Sequence, residues 1–207
     1  MNQAMDLAVI FSERNECTSE NPVKVKLGEG EHEMVGYTAP GIYIGSMTHI
    51  SCNNITIVGK GKGNTTMIGG FYVCGKQNVK IEQLDVRNTS GIGLYCKGSS
   101  TNVDVTECCF KKCHWTGLVM YKGAIVAATR CDFLENAQCG VACDAHIKIR
   151  LKDCTMHHNG SDGLWADDHA VVDLLGTKTD IHSNKQRGIK AYGCAKVNIH
   201  LPSQHNT

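Results

Sequence analysis

The apolar positions of this chain recur in short alternating runs, not in helical stripes. From residue 79 onward one pair of apolar residues returns at a nearly constant interval: Val79/Ile81, Val103/Val105, Val126/Ala128, Ile149/Leu151 and Val172/Leu174. A second set keeps step with it, and its glycines are 24, 23, 23 and 25 residues apart: Gly93-Leu94, Gly117-Leu118, Gly140-Val141, Gly163-Leu164 and Gly188-Ile189. Between the two lies a third short run ending in Val86, Phe110, Phe133 and Met156. Each unit therefore predicts three short strands with turns between them, and period-two alternation gives every strand one inward and one outward face. A helical repeat would need a 3.6-residue stripe, which these units lack. A propeller blade would need four strands and roughly 40 residues. Three strands in so short a unit suit one coil of a solenoid, each coil rising one strand spacing of about 4.8 Å.

Columns of like residues support that register. Leu84, Cys108, Cys131 and Cys154 form one, and Cys96, Met120, Cys143, Ala166 and Ala191 another. Small apolar thiols fill a narrow core well. Asn136, Asn159 and Asn184, with Asn88 in an earlier unit, precede the glycine strand. Stacked amides can bond along a coil axis, and Asn tolerates the left-handed backbone of tight turns. The fold class expected is all-β, a right-handed single-stranded parallel β-helix forming one domain over 1–207. Its parts are an N-terminal cap (1–20), irregular first coils (21–75), regular coils (76–201) and a tail (202–207). Asp6 to Glu16 suits a short amphipathic capping helix with Leu7, Ile10 and Phe11 on its apolar face. A cap is expected because an open coil exposes core and strand edges.

Composition narrows the functional classes. The formal net charge is +1 with 20% charged residues, so no polybasic or acidic footprint points to nucleic acid or a membrane surface. No apolar stretch is long enough for a transmembrane helix. The N-terminus lacks a secretory pattern, so the twelve cysteines read as free thiols of a cytoplasmic protein. No C-x2-C pair occurs, and no cofactor is expected.

The runs VKVKLGEGEHEM (23–34), ITIVGKGKGNTTMIGG (55–70) and NVKIEQLDVRNTSGIGLYCKG (78–98) resemble the start of many right-handed β-helix proteins. That group includes pectate lyases, uronate C5-epimerases, the CASH domain of carbohydrate-binding proteins and sugar hydrolases, and the β-helix region of some F-box proteins. The resemblance spans about 20 to 200. It implies the fold and leaves the function open, since one fold hosts many functions.

The outward face of the glycine strands carries the candidate chemistry. Tyr95, Val119, Ala142, Trp165 and Lys190 point out, and so do Lys97, Tyr121, Asp144, Asp167 and Tyr192 two residues on. Sugar rings stack on aromatic side chains, while carboxylates and lysines bond hydroxyls or acids. Tyr95, Lys97, Tyr121, Trp165, Asp167 and Tyr192 are therefore the candidate ligand-binding set.

Asp144-Ala145-His146 on one rung faces Asp167-Asp168-His169 on the next. Carboxylates stacked in adjacent rungs repel, an arrangement by which an acid–base pair can be poised near neutral pH. Asp144, His146 and Asp168 are the candidate catalytic set. They resemble the Asp-Pro-His motif and second aspartate of mannuronan C5-epimerases. Ala145 replaces that proline, and Val141 stands where those enzymes have a catalytic tyrosine, with Tyr121 one rung below as a candidate substitute. The same histidines with Asp168 could bind a divalent ion, although no metal set is assigned.

The preferred expectation is a non-catalytic module presenting a long face to a protein or polysaccharide partner. The alternative is a carbohydrate-active enzyme, an epimerase or lyase on an acidic polysaccharide. Against the alternative, Lys97, Lys122, Arg187 and Lys190 are dispersed. The C-terminal rung begun by Lys196 to Leu201 stops at Pro202, so homo-oligomerisation through that end is also expected.

Overall fold

The computed structural model describes residues 18–33 and 45–200. The expected capping helix at Asp6 to Glu16 and the tail after 201 lie outside the described residues. The described residues form an all-β right-handed parallel β-helix of about seven turns. Three parallel sheets run its length, one of eight strands and two of seven. Each coil contributes one strand to each sheet. The coil beginning at Val79, for example, supplies Val79–Glu82 to the first sheet, Asp85–Arg87 to the second and Leu94–Lys97 to the third.

The register in the first sheet is Val23↔Ile55↔Val79↔Val103↔Val126↔Ile149↔Val172↔Val197. The spacing expected from sequence therefore holds from Val79 onward. The strands between Val23 and Cys74 join the same sheets. The first coil is longer, with 32 residues from Val23 to its partner Ile55 against 24 from Ile55 to Val79.

A single left-handed residue makes the corner between the first and second sheets in four successive coils: Gln83, Glu107, Arg130 and Asp153, with φ of 54–55°. None is glycine, so each corner costs about 1–2 kcal/mol in backbone strain. The corner side chains bridge coil to coil. Gln83 Nε2 donates to Glu107 Oε2 at 3.1 Å, and Arg130 Nε donates to Glu107 Oε1 at 2.9 Å.

Inside, the expected core columns stack, except that Ala191, the last member of its column, is exposed. Leu84, Cys108, Cys131 and Cys154 are fully buried. Their thiols donate to carbonyls of the neighbouring coil, Cys131 Sγ to Val105 O at 3.5 Å and Cys154 Sγ to Ala128 O at 3.4 Å. Phe110 and Phe133 stack at 5.3 Å and 8°. The asparagine ladder is also present. Asn159 Nδ2 donates to Phe133 O at 3.0 Å and Asn184 Oδ1 at 2.9 Å, while its own Oδ1 accepts from the Asn136 backbone and amide at 3.1 and 3.0 Å. Cys113 takes the position between Asn88 and Asn136, its N–H donating to Asn136 Oδ1 at 3.1 Å. At the far end, Ile181 and Ile189 are half-buried and Ile199 is 58% exposed.

Candidate functional site

The third sheet positions the candidate residues. Alternation puts Leu94, Leu118, Val141 and Leu164 in the core and turns the next residue out. The outward column runs His49, Tyr72, Tyr95, Val119, Ala142, Trp165 and Lys190. Its first members form an aromatic ladder, with His49–Tyr72 ring centroids at 5.0 Å and Tyr72–Tyr95 stacked at 5.5 Å and 9°. Met47 and Ile92 form a small apolar cluster against which Tyr72, Tyr95 and Val119 pack.

A second outward column runs from Cys74 through Lys97 to Tyr121 in register. Asp144, Asp167 and Tyr192 continue it, through N–H bonds to Met120 O at 3.0 Å, Cys143 O at 2.9 Å and Ala166 O at 2.9 Å. Ala142 is the smallest member of the first column. The space above its methyl group is a notch of about 170 Å³, lined by Tyr95, Val119, Met120, Tyr121, Ala142, Asp144 and Trp165. This is below the roughly 300–1,000 Å³ that encloses a drug-sized ligand, a size that suits a single ring of a longer chain.

No cation lines the notch. Lys190 is engaged elsewhere, its Nζ 4.8 Å from the Tyr192 ring centroid and 3.9 Å from the buried Asp162 carboxylate. Burial, then the neighbouring Tyr121, holds the Tyr95 phenol above its ordinary pKa, so it remains a hydrogen-bond donor. Beneath the floor, burial pushes the Cys96 and Cys143 thiols well above their usual value and leaves them inert.

The structure thus brings Tyr95, Tyr121, Trp165 and Asp144 together. Lys97 lies beside Tyr121 on the rim. Asp167 and Tyr192 lie beyond the notch on the same column, and Asp167 Oδ1 accepts the Asp168 N–H at 2.8 Å. Of the candidate catalytic set, Asp144 lines the notch, whereas His146 and Asp168 sit in the turns leaving it. Asp144 stacks on Asp167, while Asp168 stands above Ala145. Val141 is buried in the core and offers nothing to this face. His146 and His169 stack with ring centroids 4.8 Å apart. Tyr72 and His49 escaped the sequence reading, although Tyr72 precedes Tyr95 by 23 residues and so carried the signal.

A family model described as a right-handed beta helix region matches residues 29–148, more than half of the chain. The chain belongs to the right-handed β-helix family. No curated protein matches it by sequence. Among solved structures, this β-helix is similar to the A-module of mannuronan C-5 epimerase AlgE4 from Azotobacter vinelandii, with 15% identity, 94% of this chain and 71% of that one covered, and a TM-score of 0.56. It is also similar to the AlgE6 A-module from the same organism, with 16% identity, the same coverage and a TM-score of 0.62. At these identities the likeness is one of fold.

Proposed function

We propose that the outer face of the third sheet is a binding surface for a polysaccharide chain of neutral sugars, with one ring seated in the Ala142 notch. The observation that carries this is the notch itself. Trp165, Tyr95 and Tyr121 offer apolar faces for a pyranose ring, and Asp144 offers an acceptor for its hydroxyls. The absence of a cation from the lining argues for neutral sugars over uronates. A polysaccharide partner is further supported by the two epimerases with the same fold, whose names say that they act on mannuronan.

A catalytic reading has one specific observation behind it: Asp144 lines the notch with Tyr121 stacked in the coil before it. In that reading Asp144 and Tyr121 exchange protons with a bound sugar. Turnover would then be lost in Asp144→Asn without loss of binding.

The test uses Trp165 as its own reporter. In a Trp115→Phe background Trp165 is the sole indole. Titration with neutral and uronate oligosaccharides should give a saturable fluorescence change with neutral ligands, lost in Tyr95→Ala. No change with any glycan would overturn the reading and favour a protein partner for this face.

A further inference from the structure

The turns that leave the third sheet carry a cluster that the glycan reading does not use. His146 and His169 occupy equivalent positions in successive coils, where Gly123 stands one coil earlier. Gly123 has φ +80°, and the two histidines keep the same left-handed backbone at +60° and +61°. Their neighbours Ala145 and Asp168 are left-handed as well, at +58° and +42°. Left-handed backbone disfavours a residue with a β-carbon.

The turns are also fixed to each other. The His146 N–H donates to Asp168 O at 2.9 Å, and the Asp168 N–H is held by the Asp167 carboxylate at 2.8 Å. The imidazoles consequently lie one above the other at 4.8 Å and 18°. Asp168 Oδ1 is 3.1 Å from His169 Nδ1, and one donor atom from each of the three side chains lies within 4.8 Å of the others. All three residues are exposed, and among the described residues the His146 ring has no hydrogen-bond partner.

We infer that His146, Asp168 and His169 form a binding site for a divalent transition-metal ion at the rim of the notch. Two imidazole nitrogens and one carboxylate oxygen supply three protein ligands and leave the remaining positions to water or a bound ligand. Around one ion, metal–ligand bonds of about 2.0–2.2 Å bring the donors to roughly 3.3 Å apart. Exposed side chains reach that separation by rotation about their own bonds, with the backbone unmoved. Imidazole as the majority ligand selects zinc, cobalt, nickel or copper over calcium and magnesium, which favour all-oxygen sets. The ion would sit two residues from Asp144, which lines the notch.

The experiment uses cobalt(II) alone with the reduced chain, followed by visible absorption and calorimetry. No glycan is present, so its outcome is separate from that of the glycan titration. A Cys17→Ser, Cys194→Ser background removes as competing ligands Cys194, the exposed thiol among the described residues, and Cys17, which lies outside them. The expected result is one cobalt per chain, no thiolate-to-cobalt charge-transfer band, and at least a tenfold loss of affinity in each of His146→Asn, His169→Asn and Asp168→Asn. Asparagine tolerates the left-handed backbone, so these variants keep the turn. His182→Asn, in a separate histidine cluster, should bind as the parent does. Absence of saturable binding, a thiolate band, or unchanged affinity in His169→Asn would overturn the inference.

Discussion

Asn159→Ala tests the ladder that ties the coils together along their axis. Asn159 is fully buried and its side chain makes four hydrogen bonds, two given and two accepted. Truncation leaves the Asn136 backbone N–H, whose bond to Asn159 Oδ1 is 3.1 Å, facing a methyl group. An orphaned buried donor costs about 1–3 kcal/mol. The Asn136 amide keeps its bond to Phe110 O at 3.1 Å, and Asn184 Oδ1 keeps the Asn159 N–H at 3.1 Å, so those groups lose one partner each and not all. The lost bonds to Asn136, Asn184 and Phe133 add about 0.5–1.5 kcal/mol apiece. The total is about 2.5–7.5 kcal/mol, a large part of the roughly 5–15 kcal/mol that stabilises an ordinary domain. Guanidinium unfolding followed by both circular dichroism and Trp fluorescence would measure it, the two probes checking for one cooperative transition. Asn184→Ala, at the half-buried end of the ladder, should cost about 1–2 kcal/mol, because fewer of its partners are cut off from water. A loss below about 1 kcal/mol for Asn159→Ala would refute the claim that the ladder bears on stability.

Cys131→Ser should cost only about 1–2 kcal/mol, since the new hydroxyl finds the same carbonyls of Val105 and Thr129 that the thiol faces; a loss above 4 kcal/mol would mean that size and not polarity governs this column. In the native state Cys108, Cys131 and Cys154 should resist alkylation while exposed Cys194 reacts, as read by mass spectrometry. Acid should destabilise the fold through His157, whose pKa is held down by burial and by His182 and His158. Its contribution is complete above the ordinary histidine value of about 6.5 and is lost as pH falls through the lower folded value, because the unfolded chain binds the proton first. A melting temperature that is flat from pH 7.5 to 5, or a slope unaltered by His182→Gln, would contradict this. If the end bearing Ile199 self-associates, light scattering should show mass rising with concentration, and Ile199→Glu should abolish the rise; a monomer throughout would refute it.

The interior of this fold was open to reading because one coil repeats the chemistry of the next. Val79, Val103 and Val126 fall in one column, and so do Cys108, Cys131 and Cys154, so the register could be fixed by agreement among many rows. The outward positions of Tyr95, Trp165 and Asp144 followed from the same alternation. The notch did not, because a hollow is made by what is small: Ala142 matters only because Trp165 and Val119 flank it. The His146–His169 stack was anticipated from register at about one strand spacing. Asp168 was placed with the two histidines by the same register, whereas the left-handed backbone at Ala145 is what no local residue preference announces. The glycine at 123 was the available hint. Tyr72 was overlooked because the first coils are of uneven length, although its distance from Tyr95 matches the later repeat.

The parallel register also decides how the molecule loses structure. The backbone of each coil pairs only with that of its two neighbours, so apart from a few surface ion pairs such as Lys62–Asp132 that span several coils, stability is close to a sum of nearest-neighbour terms and melting starts from either end. The notch draws on the strands Leu94–Lys97 through Leu164–Ala166, with the strand Ile189–Ala191 outside it on one side and Gly70–Cys74 and Met47–Ile50 on the other. Fraying of a terminal coil therefore leaves the ring-sized recess whole. The outer coils act as sacrificial insulation, and a protease that nibbles the ends would blunt the solenoid well before it erased the surface at its middle.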